Sequence, residues 1–324
     1  MENRKVLLAY DGSSCASGAL DDLERAGFPR ELDLLVVTVA EVWVLETEGS
    51  DEKEDAMSDE PAVAHGVAIS EHAKAGLERA RIFARHAADK IRECHPGWTV
   101  DTRIYPDSPA WGVLRAAEEW KPDLIILGSH GRSALGRFFL GSVSQKVLSE
   151  SLCSVRIARG RDAVEGSPVR LVVGVDGTPD SEAAVNEIAS RSWPAGSSVK
   201  VLSAVGPLGV FTDPVFAYDI VQSIDLQGGA AREWERMERV ADDAGRKLRD
   251  AGLLVDTVVR EGAPVPLLLD GAEELGADCI FLGARGHRFM ERFLLGSVSA
   301  AVAARAGCSV EVIRTAKAAD RDVV

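Results

Sequence analysis

The sequence predicts an α/β protein made of two tandem domains, each an open parallel five-stranded sheet with helices on both faces. Three observations predict this fold class. Short apolar runs alternate with helical patterns in the order βαβαβαβαβ, which is typical of a parallel sheet with right-handed crossovers. The whole order occurs twice within 324 residues. A glycine pattern, G-x2-G-x9-G-S, also occurs twice with a spacing of 155 residues, which indicates an internal duplication. Its fixed positions are Gly128, Gly131, Gly141, Ser142, Gly283, Gly286, Gly296 and Ser297.

The elements of the first copy follow from apolar runs and helical periodicity. Lys5–Tyr10 and Leu32–Val39 have the continuous apolar character of buried parallel strands. From Val67 to Cys94, apolar residues recur at steps of three and four, which predicts a long amphipathic helix. The other predicted strands are Trp98–Tyr105, Leu124–Leu127 and Ser154–Ala158, and the other helices run from Ser13 or Ser14 to about Ala26, over Pro109–Trp120 and over Ser142–Ser151.

The second copy repeats this order after a polar linker that carries Gly and Pro. We place domain 1 at residues 1–160, the linker at 161–168 and domain 2 at 169–324. The copies differ most at residues 46–66, which are acidic, and 206–228, which are partly aromatic; a mobile lid or a plain surface loop would fit either segment. The predicted elements are strands Leu171–Val175, Val199–Val205, Leu254–Arg260, Cys279–Leu282 and Ser309–Ile313, and helices Gly229–Leu248, Ala263–Leu275 and Ser297–Ala306.

Composition limits the class of protein and its partners. A hydrophobic content of 46% with 27% charged residues describes a soluble globular protein. The net charge of −14 argues against nucleic acid or an anionic membrane surface as a partner, and no apolar run approaches the ~20 residues of a membrane span. Five cysteines without a C-x-x-C motif, and a start that lacks a signal peptide, predict a cytoplasmic protein.

The two glycine loops predict a phosphate site in each half. Each loop follows a short apolar strand and precedes a helix, so that backbone N–H groups and a helix N-terminus can meet an anion. If the strand order is 3-2-1-4-5, the loop lies beside the end of the first strand, where Asp11 or Asp176 stands. Four serines lie where helix-capping hydroxyls are expected, and each would cap the helix or bind a phosphate oxygen. They are Ser142, Ser144, Ser297 and Ser299.

Other phosphate and catalytic motifs are absent from the sequence. There is no P-loop with its lysine, no G-x-G-x-x-G, no nucleophile elbow and no paired Cys/His metal spacing. His130 and His287 lie in the two glycine loops but not at equivalent positions, so we interpret them as phosphate-side or solvent residues rather than catalytic bases.

The glycine pattern G-x2-G-x9-G-S after the fourth strand, together with D-G-[ST] after the first strand, resembles the universal stress protein family. Residues 128–155, GSHGRSALGRFFLGSVSQKVLSESLCSV, are especially similar to its signature region, and the resemblance covers nearly the whole chain. It implies the Rossmann-like fold of the adenine nucleotide alpha hydrolases. In the ATP-binding branch of the family, the loop and the Ser-Val after it hold triphosphate and ribose. By resemblance these roles fall on Gly128, Gly131, Gly141, Ser142 and Val143, and on Gly283, Gly286, Gly296, Ser297 and Val298.

The resemblance also implies roles at the ends of the first two strands. Asp11 and Asp176 would lie near the nucleotide and a Mg²⁺ ion, and the backbone at about Val39 and Ala204 would meet the adenine. One departure concerns the turn after the third strand, where the family often has a glycine. The second half conforms with Gly262, but the first half has Asp107, which would repel phosphate if it faced the pocket.

Domains of this family usually pair through the fifth strand. Here 155–158 and 310–313 are expected to meet antiparallel within one chain, as an intramolecular pseudo-dimer; a homodimer of two chains is left open. The predicted function is an ATP-binding regulatory switch in the stress response, with Mg²⁺. The alternatives are a slow ATPase or phosphotransferase and a nucleotide-free scaffold.

Overall fold

Both halves have the predicted alternation of strands and helices. The computed structural model describes residues 3–40, 71–130, 140–160, 166–206, 226–286 and 295–315. The strands are β1 (Lys5–Ala9), β2 (Leu32–Ala40), β3 (Trp98–Pro106), β4 (Leu124–Gly128), β5 (Ser154–Ala158), β6 (Arg170–Gly174), β7 (Ser198–Val205), β8 (Leu254–Glu261), β9 (Cys279–Gly283) and β10 (Ser309–Ile313). The helices are α1 (Ser14–Leu23), α2 (Glu71–Cys94), α3 (Pro109–Trp120), α4 (Ser142–Glu150), α5 (Pro179–Ser190), α6 (Leu226–Asp250), α7 (Pro264–Leu275) and α8 (Ser297–Arg305).

The strands form one ten-stranded sheet in the order β3-β2-β1-β4-β5-β10-β9-β6-β7-β8. Each half therefore has the predicted order 3-2-1-4-5. The two five-stranded sheets join into one, because β5 and β10 pair antiparallel, whereas the other strand pairs are parallel. This confirms the predicted pairing of the two halves through their fifth strands.

The two faces of the sheet are packed differently. On one face, helices α3, α4, α7 and α8 cover a single apolar core that contains residues of both halves. On the other face, α1 and α2 cover one core and α5 and α6 cover another. The junction of the halves is thus part of a shared hydrophobic core on one side only, and burial of that apolar surface stabilises the pair.

Two arginines form hydrogen bonds across the junction between the two halves. Arg159, just after β5, donates to the carbonyl oxygens of Cys308 (3.2 Å) and Ala303 (2.6 Å) in the second half. Arg314, just after β10, donates to the carbonyl of Leu148 in the first half at 2.7 Å. Ala303 and Leu148 lie in the last turns of α8 and α4, where carbonyl groups lack partners within the helix and favour a cation.

Several predicted boundaries differ from those in the structure. Helix α1 ends at Leu23 rather than near Ala26, and the chain turns there through Gly27, whose φ of +68° favours glycine. Helix α6 begins at Leu226, three residues before the predicted Gly229. The predicted start of α2 at Val67, the acidic segment 46–66 and most of 206–228 lie outside the described residues. No helix in the described ranges is long and apolar enough to cross a bilayer.

Candidate functional site

The candidate sites lie where the first and fourth strands of each half end side by side. Strand β1 pairs with β4, and β6 pairs with β9, in parallel. The residues that follow these strands therefore emerge at one edge, beside the point where the strand order reverses. Asp11 and the loop after Gly128 share this edge in the first half, as do Asp176 and the loop after Gly283 in the second.

The turn after the first strand has the same construction in both halves. Asp11 Oδ1 accepts a hydrogen bond from the backbone N–H of Ser13 at 2.9 Å. Asp176 Oδ1 accepts from the N–H (3.0 Å) and the hydroxyl (2.6 Å) of Thr178. Ser13 and Thr178 in turn cap α1 and α5. One carboxylate oxygen of each aspartate is thus used to shape the turn.

The other carboxylate oxygen of Asp176 faces the glycine loop of the second half. A Cβ added to Gly286 would lie 3.3 Å from Asp176 Oδ2. The hydroxyl of Thr178 lies 3.5 Å from the carbonyl of Arg285, and Gly296 donates its N–H to the carbonyl of Ala284 at 2.8 Å. A carboxylate, a bare glycine backbone and the start of α8 therefore meet in one place.

The helices that follow the glycine loops begin with a glycine rather than a serine. Gly141 and Gly296 are the N-cap residues of α4 and α8, and neither helix has a side-chain hydrogen bond at its cap. The prediction that Ser142 and Ser297 occupy the cap position is wrong: each is the first helical residue, and each is exposed. A glycine cap leaves the first N–H groups of the helix without a side-chain acceptor, and such groups attract anions.

Ser144 and Ser299 have a structural role instead. Both side chains are buried, and their hydroxyls donate to the carbonyls of Gly128 (2.8 Å) and Gly283 (2.6 Å). These hydroxyls tie the first turn of each helix to the end of the preceding strand. The expectation that they cap the helix is wrong, because Gly141 and Gly296 hold the cap position. A bond from either hydroxyl to a phosphate oxygen stays a prediction.

Gly128 and Gly283 are required by packing as well. A Cβ on Gly128 would lie 2.8 Å from the backbone carbonyl of Cys15 in α1. A Cβ on Gly283 would lie 2.7 Å from the backbone of Asp180 and of Ser181 in α5. These glycines let a helix start touch the strand end, which brings the turn after the first strand close to the loop. Gly131 lies outside the described residues.

The remaining predicted positions lie on the same edge. Val39 and Ala204 are near the ends of β2 and β7, in register with Tyr105 and Arg260. The Val39 side chain packs against α3, since a Cβ on Gly112 would lie 2.6 Å from its Cγ2. Its side chain is thus part of the packing between β2 and α3. Val143 and Val298, the second residues of α4 and α8, are partly buried.

One cluster at the second site was not predicted from the sequence. Arg285 donates from Nε and Nη2 to the two carboxylate oxygens of Asp180, at 2.8 and 3.0 Å, and the Thr315 hydroxyl donates to Oδ1 at 2.7 Å. Burial alone would raise the pKa of Asp180, but the hydrogen bonds from Arg285 and Thr315 outweigh it and lower that pKa. Arg285 therefore clamps the loop onto α5. No motif signals this pair, because its members are 105 residues apart.

The long helix of each half contributes a second unpredicted residue. In the second half, Arg236 Nη1 lies 3.5 Å from the carbonyl oxygen of Asp176 and 3.0 Å from a Cβ added to Gly177. In the first half, the ring of Phe83 lies 2.8 Å from a Cβ added to Gly12. Only the register of the amphipathic helices could have pointed to these residues.

The structure places two residues of the first half that the sequence analysis singled out, His130 and Asp107. His130 Nδ1 lies 3.0 Å from the Ser129 hydroxyl, and burial and then Arg159 lower the pKa of His130. Asp107 forms an ion pair with Arg115 at 2.9 Å, and this reduces its expected repulsion of phosphate. At the equivalent turn Gly262 has a φ of +143°, which favours glycine. His287 lies outside the described residues.

The described residues contain no group of three or more His, Cys, Asp or Glu side chains that could hold a metal ion by themselves. Asp11 and Asp176 each offer a single carboxylate. Mg²⁺ usually takes one or two carboxylates and completes its shell with phosphate oxygens and water. The residues present thus fit a Mg²⁺ ion that arrives with a phosphate ligand.

The sequence matches the universal stress protein family over residues 2–159 and again over residues 169–314. The chain belongs to the universal stress protein family. It is a tandem member, with one copy of the family domain in each half.

Individual relatives agree with this. A universal stress protein of Mycolicibacterium smegmatis is 29% identical over 251 residues, which cover 75% of this chain and 77% of that protein. One from Mycobacterium tuberculosis is 29% identical over 197 residues, 59% of this chain and 62% of the relative. One from Thermus aquaticus is 33% identical over 159 residues, 48% of this chain and 98% of the relative.

Solved structures show the same fold over almost the whole chain. A universal stress protein from Archaeoglobus fulgidus superposes with a TM-score of 0.61 at 21% identity, covering 97% of this chain and 99% of that one. A functionally unknown protein from Pseudomonas aeruginosa superposes with a TM-score of 0.56 at 15% identity, covering 96% and 92%. The tandem arrangement of two such halves therefore occurs in other chains.

Proposed function

We propose that this universal stress protein binds ATP with Mg²⁺ in each half, at the edge where the first and fourth strands end, and works as a nucleotide-dependent regulatory switch. The single observation that carries the proposal is the meeting of three features in the second half. Asp176 Oδ2 faces Gly286, and the start of α8 at Gly296 is held against the same loop. A carboxylate, unencumbered backbone and a helix N-terminus are the components of a Mg²⁺-triphosphate site.

Each residue of the site would have a distinct task. The first N–H groups of α4 and α8 would donate to phosphate oxygens, and the helix dipole would favour their negative charge. Asp11 and Asp176 would hold Mg²⁺ through the carboxylate oxygen that does not shape the turn. The backbone of Val39 and Ala204 would meet the base. When bound, Mg²⁺ supplies positive charge between the phosphates and the aspartate, which would otherwise repel each other.

A switch accords with these residues better than rapid hydrolysis does. The sequence has no P-loop lysine, the histidines of the two loops are not equivalent, and Arg285 is committed to Asp180 rather than to a phosphate. ATP would stabilise the loop conformation to which it binds and so shift the population of states that a partner meets.

The test is a count of ATP bound per chain, by calorimetry with Mg-ATP and by mass spectrometry of nucleotide released from the purified protein. We expect two sites. Gly286→Asp places a second carboxylate beside Asp176 and should abolish binding in the second half, leaving one ATP per chain. Gly131→Asp should do the same in the first half, and the double variant should bind none.

Gly307→Asp is the matched control, because it adds the same charge at an exposed position with no atom within 4 Å of its Cβ. It should retain both sites. A chain that neither carries nor binds adenine nucleotide would contradict the proposal and leave the scaffold alternative. Single-turnover hydrolysis that disappears in Asp176→Asn would identify an ATPase instead of a switch.

A further inference from the structure

The centre of the junction between the two halves carries a buried charge pair. Arg156 on β5 and Glu311 on β10 are in register, and Arg156 Nη1 donates to Glu311 Oε2 at 2.9 Å. Both residues are 0% exposed. Their neighbours in the ladder, Val155 with Val312 and Ile157 with Val310, are apolar pairs.

Arg156 and Glu311 occupy the same position of the internal repeat. They are 155 residues apart, which is also the spacing of the two glycine loops. The ladder is symmetric about them, because rotation of one half onto the other exchanges the pair of 155 and 312 with the pair of 157 and 310. The pseudo-twofold axis therefore passes between Arg156 and Glu311. In a symmetric pair of identical halves, the residue on this axis would meet its own copy.

A second pair of charges completes the cluster. Arg156 also donates from Nε (2.5 Å) and Nη2 (3.1 Å) to Asp22 of α1. Glu311 accepts from Arg191, which follows α5, at 3.0 Å from Nη1 and more closely from Nη2. These four residues are two cations and two carboxylates, and Arg191 also pairs with Glu187, which pairs with Arg4. Burial raises the pKa of Glu311, but Arg191 and Arg156 outweigh it and hold that pKa below its ordinary value.

Exchange of the partner would keep the pairs within each half, Arg156 with Asp22 and Glu311 with Arg191, but it would replace the attraction across the axis by repulsion. Two first halves would place two Arg156 guanidiniums face to face in the sheet, and two second halves would place two Glu311 carboxylates there. Like charges without water are strongly unfavourable. A buried ion pair adds little stability compared with apolar residues of the same size, so its main effect is to discriminate between partners.

We propose that Arg156 and Glu311 select the partner of each half: the β5 edge accepts a β10 edge and rejects a second β5 edge, and the β10 edge rejects its own copy in the same way. The protein therefore folds as a pair within one chain, and two chains do not join through like halves. An association of two intact chains uses a different surface. The inference concerns assembly and is independent of nucleotide binding.

The experiment tests which halves pair with each other after the chain is cut in the linker. A site-specific protease sequence is inserted between Asp162 and Ala163 in the linker, and the folded full-length protein is cleaved. The two fragments are unfolded together in urea and refolded, and native mass spectrometry then counts the three kinds of pair, since the fragments differ in mass. Random choice would put about half of all pairs in like-half form.

For the native sequence, we expect the share of like-half pairs to be at least about tenfold below the random share. In the double variant Arg156→Leu/Glu311→Leu, the share of like-half pairs should rise toward the random share. Asp22 keeps the hydroxyl of Ser309 as a partner in this variant, and Arg191 keeps Glu187. The control Lys146→Leu/Glu150→Leu removes an exposed ion pair on α4 and should leave the choice unchanged.

Two results would overturn the proposal. One is random pairing of the native fragments, which decides the question even if the leucine variant fails to refold. The other is a refolded leucine variant that excludes like-half pairs as strictly as the native sequence does. That result would mean that apolar packing, and not the charge pair, selects the partner.

Discussion

The second half clamps its glycine loop with charged side chains, whereas the first half has neutral groups at the same positions. Arg285 joins the loop of the second half to Asp180. The corresponding residues of the first half are His130, whose pKa is lowered by burial and by Arg159, and Cys15. The backbone contact is the same in both, since Gly128 packs on Cys15 as Gly283 packs on Asp180. The duplication has thus kept the backbone frame and changed the side chains that stiffen it.

The long helices extend this contrast. Arg236 places a guanidinium over the turn of the second site, while Phe83 covers the turn of the first. A cation near the phosphate position favours an anionic ligand. We therefore expect the second half to bind ATP more tightly than the first.

The largest effect is expected on the axis between the halves, where Arg156 lies opposite Glu311. Arg156→Leu would leave the buried carboxylate of Asp22 without its arginine and Glu311 with Arg191, and loss of one partner of a buried pair costs about 3–5 kcal/mol. Urea unfolding measures the free energy of unfolding. As a control, Lys90→Leu removes an exposed partner of Asp21 and should cost less than about 1 kcal/mol. Equal losses in the two variants would contradict the role of the buried cluster.

A smaller effect is expected from Asp180→Asn. This change removes the charged acceptor of the Arg285 clamp and should lower the free energy of unfolding by about 1.5–3 kcal/mol. ATP binding by the second half should weaken while the first half is unaffected. Cys15→Ser, the counterpart in the first half, should change binding little. An equal weakening of both sites would show that the clamp does not act locally.

The clamp also predicts a dependence on pH. Because the folded-state pKa of Asp180 is lowered, its contribution to stability is fully present above the ordinary carboxyl pKa of about 4 and is lost as pH falls through the lowered value. The free energy of unfolding of the native protein, measured in urea, should therefore fall more steeply below about pH 4 than that of Asp180→Asn. Parallel profiles would contradict the assignment.

A loss of affinity without a large loss of stability is expected from Arg236→Met. The guanidinium is partly exposed and bonded to Glu233, so its removal should alter folding little. ATP affinity of the second site should fall about tenfold, which corresponds to about 1.4 kcal/mol. Calorimetry on the Gly131→Asp background isolates that site, and Arg239→Met, an exposed arginine of the same helix, is the control. If both variants keep the native affinity, Arg236 does not face the ligand.

The smallest effect is expected from Arg115→Ala in the first half. Its ion pair with Asp107 is partly exposed, so stability should change by less than about 1 kcal/mol. Without Arg115, the Asp107 carboxylate is no longer neutralised, and ATP affinity of the first site should fall about twofold to threefold. Asp107→Gly should raise it. Titration of the Gly286→Asp background measures that site alone, and an unchanged affinity in both variants would mean that Asp107 lies too far from the phosphates.

Much of the fold could be predicted because local patterns carry it. Apolar runs and helical periodicity gave the strands and helices, and the repeat gave the second half from the first. Boundaries shifted where a turn intervened, as at Gly27 after α1. The edge on which Asp176 and Gly286 meet followed from strand order, since the ends of neighbouring parallel strands must lie together.

The candidate site was predicted less well in its side chains. Ser144 and Ser299 have the sequence context of capping residues, but a glycine occupies the cap and the hydroxyls bond the strand ends instead. No sequence pattern indicated that Arg285 pairs with Asp180. Such choices depend on which groups tertiary packing brings within about 3 Å, and a one-dimensional pattern does not contain those distances.

The sequence by itself determined that this protein is a duplicated α/β chain with a glycine loop, an aspartate turn and a helix start in each half, because periodicity and turn chemistry are local properties. Only the tertiary structure decided that Arg156 and Glu311 lie together on the axis between the halves, and that the second loop is clamped by charge. Those features join residues more than 100 positions apart, and burial fixes their partners because an unpaired charge inside the fold is too costly.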